Sequence, residues 1–566
     1  KGHGFNSSFS CVEATSIAHI KGKPIVAAEA FTADSGEGFA AYPGSLKNQG
    51  DWAFAAGINQ FIYHTFVHKA LGEHLRPGMT MGPYGVHWDR GQTWWPMVSD
   101  YHKYVSRCSF VLQQGQTVAD ILYLTPEGAP HVFRPPHSAM EGNDTIPDRK
   151  GYNFDGCSPQ MLAEASVKNH KIVFPGGASY HLLVMPIQKT MTPHVLAKIE
   201  ELIRAGANVI GIPPLKSPSL VNYPQCDVNV KKTAEKIWDT TLPPKEITVQ
   251  KYGKGKIYWG GDLSYSPDNE LYPSYEATSF LLKQMGVDED FKSSNGKIRY
   301  THKKLKDADI YFIANRTDDT FQTKCSFRVE EGAIELWNPL TGEIRELPQY
   351  TRENNHTSIP LTFDAFQSYF IVFDKTKTPT KNNNAKNFSN LAPLQQIEGE
   401  WNVSFDPRWG GPEDVVFPSL SDWSQNKEEG IKYYSGIATY KKNFNFKSKL
   451  NKEKIYLHLG EVKNIARVKL NGIDLGVIWT APWQVEITDA LTEGENHLEI
   501  DVANLWINRL IGDEHYPDDG IKNGKWPEWL VNKTPRPTKR FTFSTYKFYT
   551  KDSPLVKSGL LGPVQL

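Results

Sequence analysis

The chain has 566 residues, and its 63 lysines and arginines balance its 63 aspartates and glutamates. A neutral chain gives no electrostatic reason to expect binding to nucleic acid or to an anionic membrane. Because the sequence has no run of about 18 apolar residues, it predicts no membrane-spanning helix.

Two features of the composition bear on the class of protein. Aromatic residues make up 12% of the sequence, which is typical of carbohydrate-active enzymes and also of large β-rich proteins. The five cysteines lie far apart, so they indicate neither a disulfide framework nor a CxxC metal site.

The first predicted strand ends on a carboxylate. A helix is expected over residues 11–19, and an apolar strand over residues 23–32 carries Glu29 near its exit. A glutamate is costly to bury and contributes little to packing. Since a (β/α)8 barrel carries out its chemistry at the carboxyl ends of its strands, Glu29 is a candidate catalytic group. The alternative is that Glu29 only holds a loop or an arginine in place.

A second strand–helix unit follows. The pattern predicts a helix over residues 46–56, a strand over 57–66 that ends on polar groups, and a helix over 96–113. This spacing is that of parallel βα repeats. Two strands cannot close a barrel. Residues 1–116 are therefore predicted to be the last βα units of a (β/α)8 catalytic barrel, with the other six strands upstream of Lys1.

The next region, residues 117–290, alternates strands and helices in an open, doubly wound α/β pattern. Its clearest element is a helix that Thr192 caps, that Pro193 begins and that Gly206 ends. The region has neither GxGxxG nor a P-loop, so it is predicted to be a Rossmann-like (amidotransferase-like) scaffold without a nucleotide.

The remainder of the chain is predicted to be rich in β-structure. Short alternating strands over residues 291–375 predict a small β-sandwich, and residues 376–396 form a polar linker. Residues 397–566 hold further alternating strands, one of which runs into Asn471-Gly472, a strong hairpin signal. We expect a jelly-roll β-sandwich there.

The carboxylates suit glycoside cleavage. In an inverting glycosidase one carboxyl group protonates the leaving oxygen and a second, about 6.5–9.5 Å away, activates water. Glu29 can fill one role. Asp34, Glu37 and Asp89 follow the same strands, and they could provide the second carboxylate, bind a cation or simply be solvated. Asp34 and Glu37 are the candidates for a Ca²⁺ site, which needs about six to eight oxygens.

A long loop after the second strand, residues 76–95, is dense in aromatic and polar groups. Sugars stack their apolar faces on aromatic rings while polar groups bind their hydroxyls. The candidates for substrate binding are His64, Tyr84, His87, Trp88, Asp89, Arg90, Trp94 and Trp95. Two structural roles stay open: His64 could be a buried histidine bonded to backbone, and Trp94 and Trp95 could pack the loop onto the barrel.

Several stretches resemble glycoside hydrolase family 106, the α-L-rhamnosidases. They are AAEAFT, INQFIYHTF and PGMTMGPYGVHWDRGQTWW in the barrel region, SYHLLVMP and KLKDADIYFIANRT in the middle, and VKLNGIDLGVIWTAPWQVEITDALTEGENHLEIDVANLWINRLIGD near the end. The last stretch is similar to the sugar-binding sandwich of families 2 and 106.

The resemblance implies an inverting, Ca²⁺-dependent hydrolase that releases terminal α-L-rhamnose from a plant or algal polysaccharide or oligosaccharide. Glu29 matches the position of the general base. The general acid should lie on an earlier strand, in an upstream part of the same protein that completes the barrel. A secreted or periplasmic location is expected.

Two further functions remain open. Arg76, Arg90 and Tyr84 on the long loop would suit a lyase or dehydratase acting on an acidic rhamnose-containing glycan, since such an enzyme removes a carbon-bound proton. The chain could also be a non-catalytic glycan-binding protein.

Overall fold

The computed structural model describes residues 7–34, 36–128, 132–143, 146–242, 244–266, 270–380, 385–447 and 453–566. The first six residues of the predicted barrel segment and the three consecutive asparagines of the predicted linker lie outside the described residues. None of the described helices has the length and apolar character needed to cross a bilayer. All five cysteines are free thiols in this structure.

The N-terminal region places two parallel strands against three helices. Its elements are α1 (Ser7–Lys21), β1 (Ala27–Ala30), α2 (Pro43–Ala56), β2 (Gln60–Tyr63), β3 (Pro77–Gly78) and α3 (Ser99–Leu112), with a 3-10 helix over Trp95–Met97. The predicted helices and both strands are confirmed. β1 and β2 pair in parallel with Glu29 opposite Ile62, and they form a two-stranded sheet in the described part of the chain. The eight-stranded ring stays a prediction.

The two faces of this small sheet differ in burial. Side chains alternate along a strand, and on one face Ala28 and Phe61 pack against the helices. The opposite side, which we call the open face, consists of Ala27, Glu29, Gln60 and Ile62, and all four are exposed. Parallel sheets are normally covered on both faces, so the open face lacks its second layer among the described residues.

The next region is built on a six-stranded sheet. Its elements are β4 (Gln116–Thr117), β5 (Ile121–Leu124), β6 (Met140–Asn143), β7 (Ile146–Arg149), β8 (Phe154–Cys157), α4 (Pro159–Leu162), β9 (Ser166–Lys168), β10 (Lys171–Val173), β11 (Ser179–Tyr180), β12 (Leu182–Val184), α5 (Pro193–Ala205), β13 (Asn208–Ile210), α6 (Gln225–Trp238), β14 (Thr248–Tyr252), β15 (Gly255–Trp259) and α7 (Tyr275–Gln284), with 3-10 helices over His137–Ala139 and Gly261–Leu263. The sheet order is β14-β15-β13-β12-β5-β8, and only β14 is antiparallel to its neighbour. The five parallel strands follow the doubly wound order 2-1-3-4-5.

The local signals for α5 are confirmed. The Thr192 hydroxyl accepts a hydrogen bond from the Val195 amide at 3.5 Å, and Pro193 occupies the first turn. The helix ends at Gly206, whose φ of +127° a residue with a side chain rarely adopts.

A pair of facing sheets follows. Its strands are β16 (Phe291–Ser293), β17 (Ile298–Lys304), β18 (Ala308–Asn315), β19 (Phe321–Phe327), β20 (Ala333–Trp337), β21 (Ile344–Glu346), β22 (Thr351–Glu353), β23 (His356–Phe363) and β24 (Ser368–Asp374). One sheet has the order β16-β19-β23-β22, and the other has the order β21-β20-β24-β18-β17-β4. Cys325 and Ile359 from the first sheet share a core with Tyr311 and Phe373 from the second.

The C-terminal region is again antiparallel. Its elements are β25 (Trp401–Ser404), β26 (Val415–Phe417), α8 (Glu429–Lys432), β27 (Ile437–Phe446), β28 (Tyr456–His458), β29 (Glu461–Lys463), β30 (Ile465–Leu470), β31 (Ile473–Ile478), β32 (Gln484–Glu486), β33 (Gly494–Ala503), α9 (Ile507–Asp513), α10 (Glu528–Val531), β34 (Phe543–Ser544) and β35 (Gly559–Gly562), with 3-10 helices over Pro407–Trp409 and Trp423–Gln425. The main sheet has the order β26-β25-β27-β33-β30-β31. The predicted hairpin is confirmed, since Asn471 and Gly472 both have positive φ, +53° and +81°, between β30 and β31. The jelly-roll connectivity stays a prediction.

One core joins the N-terminal region to both β-rich regions. Phe54 of α2 and Tyr101 of α3 pack in the same cluster as Phe312 of β18 and Trp479, which follows β31. A buried ion pair lies nearby, with Lys47 Nζ 2.6 Å from Asp51 Oδ2. The helices behind β1 and β2 are thus fixed to the rest of the molecule, which holds the ends of both strands in place.

Candidate active site

Glu29 lies near the carboxyl end of β1, on the open face. Its Oε1 accepts a hydrogen bond of 2.8 Å from the Thr32 hydroxyl, and no other described residue pairs with the carboxylate. The chain turns sharply after the strand because Phe31 has a φ of +59°. The Phe31 ring packs behind the sheet, 5.3 Å from the ring of Phe61, while Thr32 reaches back to Glu29. The carboxylate is therefore exposed and oriented by one hydroxyl.

The loop after β2 crosses the ends of both strands. The Gly85 amide donates to the Ala33 carbonyl at 3.0 Å, and the Val86 amide donates to the His64 carbonyl at 3.0 Å. His64 is half-buried, and its Nδ1 is buried without a hydrogen-bond partner among the described residues. A Cβ on Gly85 would lie 3.0 Å from the Thr65 methyl group. The absence of a side chain at Gly85 lets the loop lie directly against the end of β2.

Glu37 closes the loop after β1. Its two carboxylate oxygens accept hydrogen bonds from the amides of Phe39, at 3.0 Å, and Ala41, at 2.7 Å. His87 is buried, with Nδ1 3.3 Å from Glu37 Oε2 and its ring stacked on Phe39 at 4.3 Å. This carboxylate is committed to the backbone and to a histidine, which is a structural role.

The predicted calcium ligands do not come together. Asp34 is exposed, and its Oδ1 accepts from the Gly36 amide at 3.0 Å. In the described part of the chain, no group of three or more histidine, cysteine, aspartate and glutamate side chains is placed to hold a metal ion. Asp34 and Glu37 therefore do not fit a calcium site that needs about six to eight oxygens.

Asp89 is also buried rather than presented to a ligand. Its Oδ1 accepts from the Gly91 amide at 2.7 Å and lies 3.2 Å from Lys69 Nζ. Lys69 donates to the carbonyls of Pro77 and Met79, at 3.0 and 2.6 Å. Burial lowers the pKa of Lys69, and the charge of Asp89 opposes that shift. The pair fixes the start of the long loop, so the predicted contact between Asp89 and substrate is corrected.

The two arginines of the long loop lie near its surface. The Arg90 guanidinium is exposed and donates to the Lys69 carbonyl at 3.0 Å. Arg76 pairs with Glu73, and burial lowers its pKa. Arg90 keeps an exposed side chain that a ligand could contact.

The aromatic residues of the loop divide into buried and accessible groups. Trp88 stacks on Tyr63 at 4.7 Å, and Trp94 is fully buried beside it. Their predicted roles in sugar binding are corrected, as is that of His87, because buried rings have no face to offer a sugar. Trp94 instead packs the loop onto the core. Trp95 is half-buried and Tyr84 is 42% exposed, so both stay candidates.

A C-terminal segment, residues 543–549, contributes to this end of the sheet, which sequence reasoning missed. β34 pairs in parallel with β3, and Thr545 Oγ1 accepts from the Thr80 amide at 2.9 Å. The Phe548 ring packs edge-on against Phe39 at 5.0 Å. Because 465 positions separate Thr80 from Thr545 in the sequence, no local pattern could have found this contact.

The position of Glu29 and the matches to known families together indicate the class of protein. A carboxylate at the carboxyl end of parallel strands occupies the position that catalytic groups take in (β/α)8 enzymes. A family model described as alpha-L-rhamnosidase matches residues 4–352. The chain belongs to this family, glycoside hydrolase family 106. A second model, the glycosyl hydrolase 2 galactose-binding domain-like family, matches residues 423–536.

Two individual proteins are similar over nearly the whole chain. A rhamnosidase structure from Novosphingobium sp. PP1Y aligns with a TM-score of 0.84 and 28% identity, covering 99% of this chain and 49% of that one. A protein from Formosa agariphila named "Putative beta-glucuronidase" is 28% identical, covering 98% of this chain and 64% of the relative. This chain thus spans about half of the length of the Novosphingobium protein and 64% of the length of the Formosa agariphila protein.

Proposed function

We propose that this chain is part of an α-L-rhamnosidase that releases terminal α-L-rhamnose from a plant or algal polysaccharide or oligosaccharide. The observation that carries the proposal is Glu29, exposed on the open face of two parallel strands in a chain of family 106. An upstream part of the same protein supplies the strands that cover the open face. Because intact polysaccharides lie outside the cell, the protein is secreted or periplasmic.

Glu29 acts as the general base of an inverting mechanism. Its carboxylate takes a proton from a water molecule as the water attacks the anomeric carbon, and a carboxylic acid about 6.5–9.5 Å away protonates the leaving oxygen. That acid comes from the upstream part. The Thr32 hydroxyl holds the Glu29 carboxylate in position, and Tyr84, Arg90, Trp95 and His64 are the groups of this chain left to contact the sugar.

The role of Glu29 is tested by Glu29→Gln in the full-length protein. We expect turnover of an aryl α-L-rhamnoside to fall at least about 100-fold, the scale of a positioned acid–base group. The fold should be unchanged because the side chain is exposed. Glu201→Gln, an exposed glutamate on α5 that pairs with Lys198, is the matched control. Near-normal turnover of Glu29→Gln would remove this residue from the mechanism.

A calcium requirement stays a prediction for the whole protein, since the described ligands do not assemble a site. Activity measured after dialysis against EDTA, with and without added Ca²⁺, checks it. Full activity in EDTA would refute the requirement.

A second candidate is hydrolysis of a β-glucuronide, which the name of the Formosa agariphila relative favours. Parallel assays on nitrophenyl α-L-rhamnoside and nitrophenyl β-D-glucuronide separate the two substrates. Mass analysis of an acidic rhamnose-containing oligosaccharide distinguishes a hydrolase from a dehydratase and from a glycan-binding protein. Hydrolysis adds one water molecule, elimination of water removes one, and a purely glycan-binding protein leaves the mass unchanged.

A further inference from the structure

A cavity of about 910 Å³ lies between the doubly wound sheet and the facing β-sheets. Asp120, directly before β5, and His181, directly before β12, line it, so it opens at the amino ends of these parallel strands. Doubly wound sheets usually bind ligands at the carboxyl ends. Neither Glu29 nor any of the candidate sugar-binding residues lines this cavity. It is therefore separate from the candidate active site, and the proposed mechanism makes no use of it.

A buried chain of charges forms the floor of the cavity. His302 bridges Asp309, 2.9 Å from Nε2, and Asp290, 3.0 Å from Nδ1. Arg328 continues the chain, 3.4 Å from Asp290 and 2.9 Å from Asp120. Burial alone would lower the pKa of His302, but the two aspartates outweigh that effect and raise it.

The charges of this floor compensate one another. Lys375 lies 2.9 Å from Asp309 and 3.4 Å from Glu331. Arg328, Lys375 and His302 thus face the three aspartates of the floor. Ion pairs this close satisfy buried charges, so the floor by itself presents no free charge to a ligand.

The remaining lysines of the cavity, unlike Lys375, have no ion-pair partner among the described residues. Lys171, Lys304 and Lys306 line it, and among the described residues none of the three makes a side-chain hydrogen bond or an ion pair. Lys171 is half-buried. Burial lowers its pKa, and the charges of Arg328 and Lys304 act in the same direction while Asp120 opposes them. Glu330 and Glu331 also line the cavity, but neither they nor Asp120 lies within ion-pair distance of Lys171. This partly desolvated ammonium group therefore has room for an anionic partner.

We propose that this cavity binds a sugar acid, a saccharide unit that carries a carboxylate or a sulfate group. Lys171 and Lys304 take the oxyanion, while His181, Ser179 and Asn355 on the wall offer donors and acceptors for hydroxyl groups. The cavity volume lies within the range of about 300–1,000 Å³ that is usual for small-ligand sites. That the anion belongs to a saccharide rests on the proposed function, whereas the anion site rests on the lysines alone.

Calorimetric titration of the full-length protein tests the proposal. The probes are D-glucuronate, D-glucose as the neutral match, and inorganic sulfate. The variants are Lys171→Gln and Lys304→Gln, and Lys292→Gln is the control because this exposed lysine of β16 lies outside the cavity. We expect glucuronate to bind and glucose not to bind. Each cavity variant should weaken glucuronate binding at least about tenfold, the scale of one hydrogen bond to a charged group.

Each contrary outcome overturns a stated part of the proposal. Sulfate that binds as tightly as glucuronate, with the same response to the variants, would show a site for inorganic anions rather than for a sugar acid. Failure of glucuronate to bind, or binding unaffected by Lys171→Gln and Lys304→Gln, would remove the site. Failure of the proposed function is distinguishable. Glu29→Gln should lower rhamnoside turnover at least about 100-fold and leave glucuronate binding intact, whereas Lys171→Gln should weaken glucuronate binding at least about tenfold and leave turnover intact.

Discussion

Two parallel sheets in this molecule are built alike and covered differently. In the doubly wound sheet every residue of β5 is buried, since helices and loops lie on both faces. In the two-stranded sheet of the N-terminal region, Glu29 and Ile62 sit side by side on a face that no described residue covers. Strands of parallel sheets are normally buried on both sides.

Under the proposed function, the doubly wound sheet is a scaffold and the two-stranded sheet carries the catalytic carboxylate. The doubly wound sheet surrounds the strand β5 with apolar contacts on both faces. In the two-stranded sheet, the open face carries the exposed carboxylate of Glu29, and no other side chain of the sheet covers that face. The proposed function therefore requires a second layer from further strands of the same protein.

The need of the two-stranded sheet for a second layer is tested most directly by expressing this part of the chain alone. Residues 1–116 expressed alone should show no cooperative unfolding transition, because the open face is uncovered and the helices lose the core they share with Phe312 and Trp479. Residues 391–566, which have their own core, are the control and should unfold cooperatively. Thermal and urea unfolding followed by circular dichroism provides the measurement. A cooperative transition from residues 1–116 would show that the sheet needs no further layer.

The packing behind the sheet can be tested at the ion pair of α2. Asp51→Ala leaves Lys47 charged and buried, and it should lower the free energy of unfolding by about 3–5 kcal/mol. The pair Lys198–Glu201 on α5, whose glutamate is exposed, is the control, and Glu201→Ala should lower the free energy of unfolding by about 1 kcal/mol or less. Urea unfolding of both variants gives the two values. Equal effects would mean that α2 does not fix the strands in place.

The facing β-sheets, which pack beside the doubly wound sheet, have a pH signature at Asp309 of β18. Burial by itself raises the pKa of Asp309, but hydrogen bonds from His302 and Lys375 outweigh it and lower the value to about 2. A carboxyl group with a lowered pKa stabilises the fold above its ordinary value, and that contribution is lost as the pH falls from about 4 to about 2. Asp309→Asn should lower the free energy of unfolding by about 2 kcal/mol at neutral pH, and the deficit should shrink as the pH approaches 2. A deficit that does not change with pH would contradict this role for Asp309.

Local sequence signals predicted the helices and the hairpin, whereas contacts between distant parts of the chain determine which candidate site residues are buried. Both ends of α5 are marked by Thr192, Pro193 and Gly206. The hairpin between β30 and β31 is marked by Asn471-Gly472. Both were predictable because each signal acts within a few residues. Nothing in the loop sequence tells whether Trp94 faces solvent or the core. That depends on α3 and on the C-terminal region, which lie elsewhere in the chain.

The charged groups were harder still to predict. Asp89 is a reasonable candidate ligand by its place in the loop, but Lys69 lies beside it and occupies its carboxylate. The pairing of Arg328 with Asp120 spans 208 positions, so the sequence held no sign of the charged floor of the cavity. Glu29 was predictable because the apolar run of β1 places it at a strand end without help from any distant residue.

The open face itself offers the most direct measurement. Ile62 is 55% exposed on β2, and Val416 is 54% exposed on the edge strand β26. If further strands cover the open face in the full-length protein, Ile62→Lys should lower its free energy of unfolding by at least about 1 kcal/mol, because a charge is then placed against a buried surface. Val416→Lys should change it by less than about 0.5 kcal/mol, as an exposed substitution does. Equal and small effects of the two substitutions would mean that the open face stays in solvent, and Glu29 would then have no enclosed site in which to act.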